Sequence, residues 1–429
     1  MRAELTGFPA RLACLSIAFL IGAGAGAGAG AQAQWAPLRG HVKAQQQYLT
    51  APTDSLAASL GHRDAEAASI DFRLIGELSA GRFAFEADYF LLGVDGSAED
   101  LQSRIEAEQP DLFIDREATQ WLDLSRVVSD TSERRAVQSL DRFSMSYTTD
   151  RWVIKLGRQA YSWANGIVFR PLDLFDPFAP DAVDQSYKPG IDAVYAQRLL
   201  ASGSDVVALI VPRRDPATGR VTNAQSSAAV KWHVFGSKLQ MDLLAARDYR
   251  DAVLGLGLTG PWGQAVWRLS VVPVWLDTGG ARISLVANVE HAWQWKARNV
   301  SGFLEYFRNG LGRADRGYAL DELAPELVAR LARGQLFDTG RDYVAAGLRM
   351  QLTPLLEVDP ALIVNLGDHS TLSLVQGSYS IAQNLALDFG VRLAFGAKGT
   401  EFGGLPQTAA GSVLVAPPAR LYARLAFYF

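Results

Sequence analysis

The chain has 429 residues, of which 49% are hydrophobic, and 41 Lys+Arg stand against 45 Asp+Glu for a formal net charge of −4. That acidic balance excludes a nucleic-acid partner, which would need a basic face. Mean hydropathy is +0.04, and beyond the N-terminus no segment approaches the ~18 uninterrupted apolar residues of a membrane helix. A globular protein remains, or a barrel whose hydrophobicity is hidden by alternation.

The first segment reads as a secretory signal peptide, residues 1–33. Arg2 and Arg11 precede an apolar run from Leu12 to Ile21, a Gly-Ala stretch follows, and Ala31-Gln32-Ala33 is a small-x-small cleavage site. Cleavage after Ala33 also removes Cys14, the one cysteine, so the exported chain, residues 34–429, has no disulfide or thiolate-metal framework.

From about residue 40 onward one period dominates. In the strands expected over 40–50, 68–78 and 82–93, Phe83, Phe85, Ala87, Tyr89 and Leu91 share one face, opposite Arg82, Ala84, Glu86 and Asp88. Period two means strand, because successive side chains leave opposite faces. Segments of ~9–11 residues are what a tilted strand needs to cross a bilayer, longer than the usual globular strand. The segment 97–138, rich in Asp, Glu and Arg, is expected to be partly helical and inserted. Two more strands follow at 139–149 and 151–158.

The stretch from Gly157 to Asp192 is the most distinctive. Gly157-Arg158-Gln159 ends a strand, Trp163 and Asn165-Gly166 follow, and then Pro171-Leu172-Asp173-Leu174-Phe175. This pattern resembles Gram-negative porin-like barrels of the alginate-export type. The resemblance spans these residues, and elsewhere it is one of architecture. It implies an eighteen-stranded barrel with loops constricting a polar channel, and it names no solute.

Physical reasoning on the same residues is independent of that likeness. Pro171, Pro177, Pro180 and Pro189 forbid a regular ladder, and Phe169, Phe175 and Phe178 need burial. The loop is therefore expected to fold into the barrel mouth. The candidate constriction or solute-contacting residues are Arg158, Trp163, Asn165, Asp173, Asp176, Asp184, Lys188 and Asp192. Packing as a support for neighbouring loops is the alternative. The spaced aspartates lack a Dx[DN]x[DN]G calcium loop, and no cofactor or metal is expected. By parity Arg158 falls with Trp152, Ile154 and Leu156 on the lipid side, so it must lie at the rim or be turned inward by a bulge at Gly157.

The remaining strands are expected at 190–200, 203–213, 226–235, 238–248, 251–259, 263–276, 281–293, 298–309, 342–353, 356–366, 370–380, 383–395 and 418–429, making eighteen, or sixteen if two weak segments are misread. Gly255 to Gly260 match GxGxxG, but no helix follows, so a dinucleotide site is rejected. Gly260-Pro261-Trp262 reads as a turn. Ile283, Leu285 and Val289 should face lipid while Arg282 and Glu290 face the lumen. Residues 318–334 read as a short helix, with Pro325 at its first position and Gly334 stopping it. Asp368-His369-Ser370 holds triad residue types but cannot form a triad from adjacent positions, and no enzyme is expected.

Short and long connections alternate, as in an outer-membrane β-barrel with periplasmic turns and extracellular loops. Trp residues cluster near strand ends, and the chain ends in an alternating aromatic strand at Phe429, resembling the signal read by the bacterial barrel-assembly machinery. The fold class is therefore an all-β, antiparallel up-and-down transmembrane barrel. Its expected lumen wall includes Arg82, Glu86, Asp88, Arg282, Glu290, Asp388 and Arg392, and Arg198 by the same parity. Acidic and basic wall residues nearly balance, which suggests ion pairing across strands. The expected surroundings are outer-membrane lipid and lipopolysaccharide. Two functions stand open: a channel for passive diffusion or export of small hydrophilic solutes, and a non-conducting or plugged barrel serving as scaffold or partner of an envelope export or lipid-transport system.

Overall fold

A computed structural model describes residues 33–184 and 186–429; the signal-peptide reading of Met1–Gln32 lies outside the described residues. Eighteen long strands form one sheet: β1 (Arg39–Thr50), β2 (Asp64–Ala80), β3 (Phe83–Asp95), β4 (Arg134–Thr148), β5 (Trp152–Gln159), β6 (Ile191–Leu199), β7 (Asp205–Val211), β8 (Ser227–Phe235), β9 (Gln240–Asp248), β10 (Asp251–Trp262), β11 (Ala265–Trp275), β12 (Ala281–Trp295), β13 (Arg298–Arg308), β14 (Asp342–Thr353), β15 (Leu356–Asn365), β16 (Thr371–Ala382), β17 (Leu385–Phe395) and β18 (Ala419–Tyr428). Each pairs antiparallel with its neighbours in sequence, and β18 pairs with β1, so the sheet closes. Closure removes the sheet edges that lipid would leave unsatisfied. Phe429 completes the seam: its carbonyl accepts from Gly40 N at 2.8 Å, and its amide donates back to Gly40 O at 3.1 Å.

All eighteen expected strands form, with three local differences. Gly260-Pro261-Trp262 is not a turn; β10 runs through Trp262, with Pro261 opposite Val266 at the last rungs of the ladder. A side chain at Gly260 would press on the Trp267 ring, which lies 3.1 Å from an ideal Cβ there. Arg82 is not on the lumen wall. It sits exposed in the Gly81-Arg82 turn, where Gly81 takes φ +62°. Arg198 faces outward rather than inward, since it lies opposite Trp152 across β5–β6 and its guanidinium covers that exposed ring at 5.5 Å. There it can keep its charge at the water interface while its stem lies along apolar surface.

The barrel is inverted relative to a water-soluble protein. On the outer face Ile70, Ile283 and Leu304 are 59%, 54% and 53% exposed, while the inward His41 and Glu305 are fully buried. An apolar belt of this extent demands an apolar surrounding, and Trp152, Trp262, Trp275, Trp293 and Trp295 ring it near strand ends, as in a membrane-spanning barrel. No described helix is long and apolar enough to cross a membrane.

One end carries short turns and both ends of the barrel domain. The other carries the long loops. There α1 (Leu56–Ser59), α2 (Ser97–Glu108) and α3 (Arg116–Thr119) decorate the first two loops, so the segment 97–138 is partly helical as expected. A fourth helix, α4 (Pro325–Ala332), begins with Pro325 in its first turn and is followed by Gly334 at φ +64°. Leu327 anchors it in an apolar cluster with Tyr318, Leu323 and Leu405.

Candidate pore constriction

The inner loop begins where the wall itself is short. β5 ends at Gln159 and β6 starts at Ile191, so 31 intervening residues leave the wall. The gap above them is filled from elsewhere: Ser125–Asp130 forms a strand on the upper half of β4, with Ser125 opposite Ser139, while β5 holds the lower half, with Arg158 opposite Phe143. Arg158 keeps the ladder register on both sides, and no bulge intervenes. It is 1% exposed, covered by the segment carrying α3. Its guanidinium donates to Asp192 Oδ1 at 2.9 Å, to Leu122 O at 2.8 Å and to Glu117 Oε2 at 3.2 Å. Asp192 in turn accepts from Leu122 N at 2.6 Å. The bulge expected at Gly157 is absent, and Arg158 sits at mid-height of the β4 wall rather than at its rim; the pair serves as a pin between β5, β6 and the covering segment, enclosed rather than open to a passing solute.

The loop's first half is held by apolar burial and by one wall carboxylate. Trp163, Leu172 and Phe175 pack into the inward face of β7 to β11, against Val207, Leu209, Leu244, Val253 and Val272. Phe169 stacks on Phe307 at 4.4 Å and leans on Tyr343. The β10 wall is cut back to admit these residues: an ideal Cβ at Gly255 would lie 2.4 Å from Leu172, and one at Gly257 would lie 2.4 Å from Asn165. The GxGxxG spacing thus reports a close approach of loop to wall. Glu305 of β13 accepts three backbone N–H bonds, from Ile167 at 2.6 Å, Val168 at 2.9 Å and Phe169 at 2.8 Å. Asn288 of β12 donates to the same carboxylate at 3.0 Å and to Asn165 O at 3.4 Å.

The second half is held by charge. Asp173 takes two bonds from Lys188, at 2.7 and 2.6 Å, within the loop. Asp176, at φ +64°, pairs with Arg116 of α3. Asp181 pairs with Arg392 of β17. Asp184 pairs with Lys43 of β1 and with Arg424 of β18 at 2.8 Å. Burial alone would raise the Asp184 carboxyl, but the Lys43 hydrogen bond and the charges of Arg424 and Lys43 prevail and hold it down to about 2. Tyr187 lies under the Arg73 guanidinium at 4.5 Å and against His41. The loop therefore crosses the lumen from the β7–β13 wall to the β17–β2 wall.

Of the expected constriction residues, Asn165, Asp173, Asp176, Asp184 and Lys188 meet in this crossing strap, and Trp163 is buried beneath it, with Lys231 over its ring at 5.9 Å. Arg158 and Asp192 lie apart, in the wall. On the wall proper, Glu290 pairs with Arg268 at 2.9 Å and Asp388 with Arg424 at 2.8 Å. Arg282 is exposed at the loop-side end of β12, and Glu86 and Asp88 face a cavity on the turn side.

Two groups escaped parity reasoning. Asp141 is the extra residue of a bulge in β4, where the register slips between Asp88 and Tyr89. The bulge places Asp141 beside Arg142, and there it binds Arg73 at 2.7 Å and Gly190 N at 2.9 Å. Lys43 is only 3% exposed and reads in sequence as one polar residue among several in β1; its distinguishing signal is the loop aspartate, 141 residues away.

Solved structures give a likeness of fold. OccAB3 of Acinetobacter baumannii superposes with a TM-score of 0.52 at 9% identity, covering 92% of this chain and 99% of that one. OccAB1 of the same organism gives 0.51 at 9% identity over 91% and 96%, and OccAB2 gives 0.50 at 9% over 91% and 98%. No family model matches the chain, and no curated protein does. The chain has the fold of a porin-type barrel: closed, antiparallel and eighteen-stranded.

Proposed function

We propose that the protein is an outer-membrane channel for small hydrophilic solutes. On this reading the turn end faces the periplasm and the belt sits among outer-membrane lipid and lipopolysaccharide. Phe429 presents the C-terminal strand to the barrel-assembly machinery. The observation that carries it is the crossing strap of residues 160–190: a wide barrel lined by charged residues, narrowed by one inward loop, is the construction of a size-limited pore. The work done on solute is passage, with selection at the strap.

The plugged-barrel alternative draws on the same strap, because its apolar half fills the space against β7–β14 and its aspartates are already paired with wall cations. Single-channel recording in planar bilayers separates the two. Stable conductance of the intact barrel supports the channel. Excision of residues 167–186 with a Gly-Ser joint should raise conductance and the size cutoff while the barrel still assembles. An intact barrel without conductance, which conducts only after excision, would favour the plug. The finer kinship to alginate-export barrels rests on the Gly157–Phe175 pattern, and a proteoliposome uptake panel that includes uronate oligosaccharides tests it.

A further inference from the structure

A cavity of about 460 Å³ opens on the turn side of the barrel, beneath the strap. Its charged lining comes from four strands: Arg39 of β1, Glu77 of β2, Glu86 and Asp88 of β3, and Arg142 of β4. Tyr187 of the strap and Tyr428 of β18 supply aromatic walls.

The two cations of this lining are already committed. Arg39 pairs with Glu77. Arg142 donates to Asp141 Oδ2 at 2.7 Å, to Asp141 O at 2.8 Å and to Lys188 O at 2.5 Å. Two of the three carboxylates are less well met. Glu86 stands directly opposite Glu77 across β2–β3, a like-charge juxtaposition that is unfavourable by itself, and it has no hydrogen-bond or ion-pair partner among the described residues. Lys155 of β5 shares a neighbouring hollow with Glu86 but lies beyond ion-pair reach. Asp88 is 3% exposed; Oδ2 lies 4.0 Å from Arg73, and Oδ1 is buried with no partner. A buried carboxylate oxygen without a donor is costly; Oδ1 itself is closed off, while the Asp88 and Glu86 side chains line a cavity large enough for a small molecule. The described residues include no cluster of three or more ligating side chains suited to a metal ion. A donor with an extended body fits better, its charge at Glu86 and Asp88 and its apolar part against Tyr428.

We infer that this cavity is a binding site for a small organic cation, a primary ammonium carried on a short apolar or aromatic body. The site lies at the periplasmic mouth of the channel proposed above and rests on that reading for its sidedness. The ammonium donates to Glu86 beside the Asp88 charge, relieves the Glu77–Glu86 repulsion, and sets its body on an aromatic wall.

Benzylamine is the probe, with benzyl alcohol as its neutral counterpart, benzoate as its anionic one and calcium as a bare cation. Binding is measured by calorimetry on the full barrel folded in detergent, with assembly checked by heat-modifiable migration. Benzylamine should bind more tightly than the other three. Glu86→Gln, an isosteric change on a wet wall, should weaken it at least about tenfold, the loss of one charge-assisted hydrogen bond, and Asp88→Asn should do the same. Equal affinity for benzylamine and benzyl alcohol would overturn the site, as would binding unchanged in Glu86→Gln, or calcium bound in preference to the amine. Conductance is recorded separately without amine. A barrel that binds benzylamine but passes no current sinks the channel and keeps the site, and a conducting barrel that ignores benzylamine does the reverse.

Discussion

Glu305 and Phe169 are 136 residues apart in sequence, yet the Glu305 carboxylate accepts the Phe169 amide at 2.8 Å, together with the amides of Ile167 and Val168. One wall side chain thereby fixes the turn from which the whole strap crosses the lumen. Three consecutive N–H groups, away from any ladder, would otherwise be unsatisfied inside the barrel.

Replacing this carboxylate should release the strap. Hydrogen bonds to a charged group are worth about 1.5–3 kcal/mol each, and Glu305→Ala removes the three loop-amide bonds, and the one from Asn288, leaving their donors orphaned. The amides of Ile167, Val168 and Phe169 should exchange with solvent at least about tenfold faster, since ~1.4 kcal/mol already corresponds to that factor, and single-channel conductance should rise. Unchanged exchange at these three amides would show that apolar packing alone seats the turn.

The β10 wall offers a test from the opposite direction. Gly257→Val puts a branched side chain where even a Cβ lies 2.4 Å from Asn165. Overpacking of this kind costs about 1–3 kcal/mol, and the softer partner is the loop, because β10 is bonded on both edges. The variant should assemble, with a displaced strap and altered conductance. The neighbouring change Leu254→Val, on the exposed outer face, should leave conductance as it was.

Acid should loosen the charged half of the strap within a defined window. The Asp184 carboxyl is held down to about 2 from an ordinary 3.8. A depressed acid stabilises the docked loop above its free value and loses that contribution as pH falls through the docked one. Conductance should therefore stay level from neutral pH down to about 4 and change between about 4 and about 2. Asp184→Asn, which lacks the charge at every pH, should remove the transition in that window; a transition that persists in the variant would assign it to another group.

The seam makes a prediction about assembly. Deleting Phe427 to Phe429 removes the Leu385 and Val42 partner of β18 and both Gly40 bonds. Open edges are not tolerated in lipid, so the truncated chain should lose heat-modifiable migration. Normal migration would show that the remaining rungs between β18 and β1 suffice to close the barrel.

Period two, strand length and the alternation of short with long connections determined the barrel from the sequence alone, because in a sheet the facing of every side chain follows from its position. They placed Ile283 outside, Glu290 inside and eighteen strands in order. The prolines and phenylalanines of the 159–189 stretch likewise marked a loop that had to be buried. Which wall residues receive that loop was decided only in three dimensions. Lys43, Glu305, Arg392 and Arg424 belong to four different strands, and only closure of the sheet brings them around one loop. Asp141 enters the lumen through a bulge, which shifts register by one and defeats parity at that point. Arg158 kept its parity and was buried all the same, by the α3 segment crossing a gap in the wall. Periodicity is local and survives in sequence, whereas partner choice across a lumen depends on which strands come to face one another, and that is set by the closed sheet.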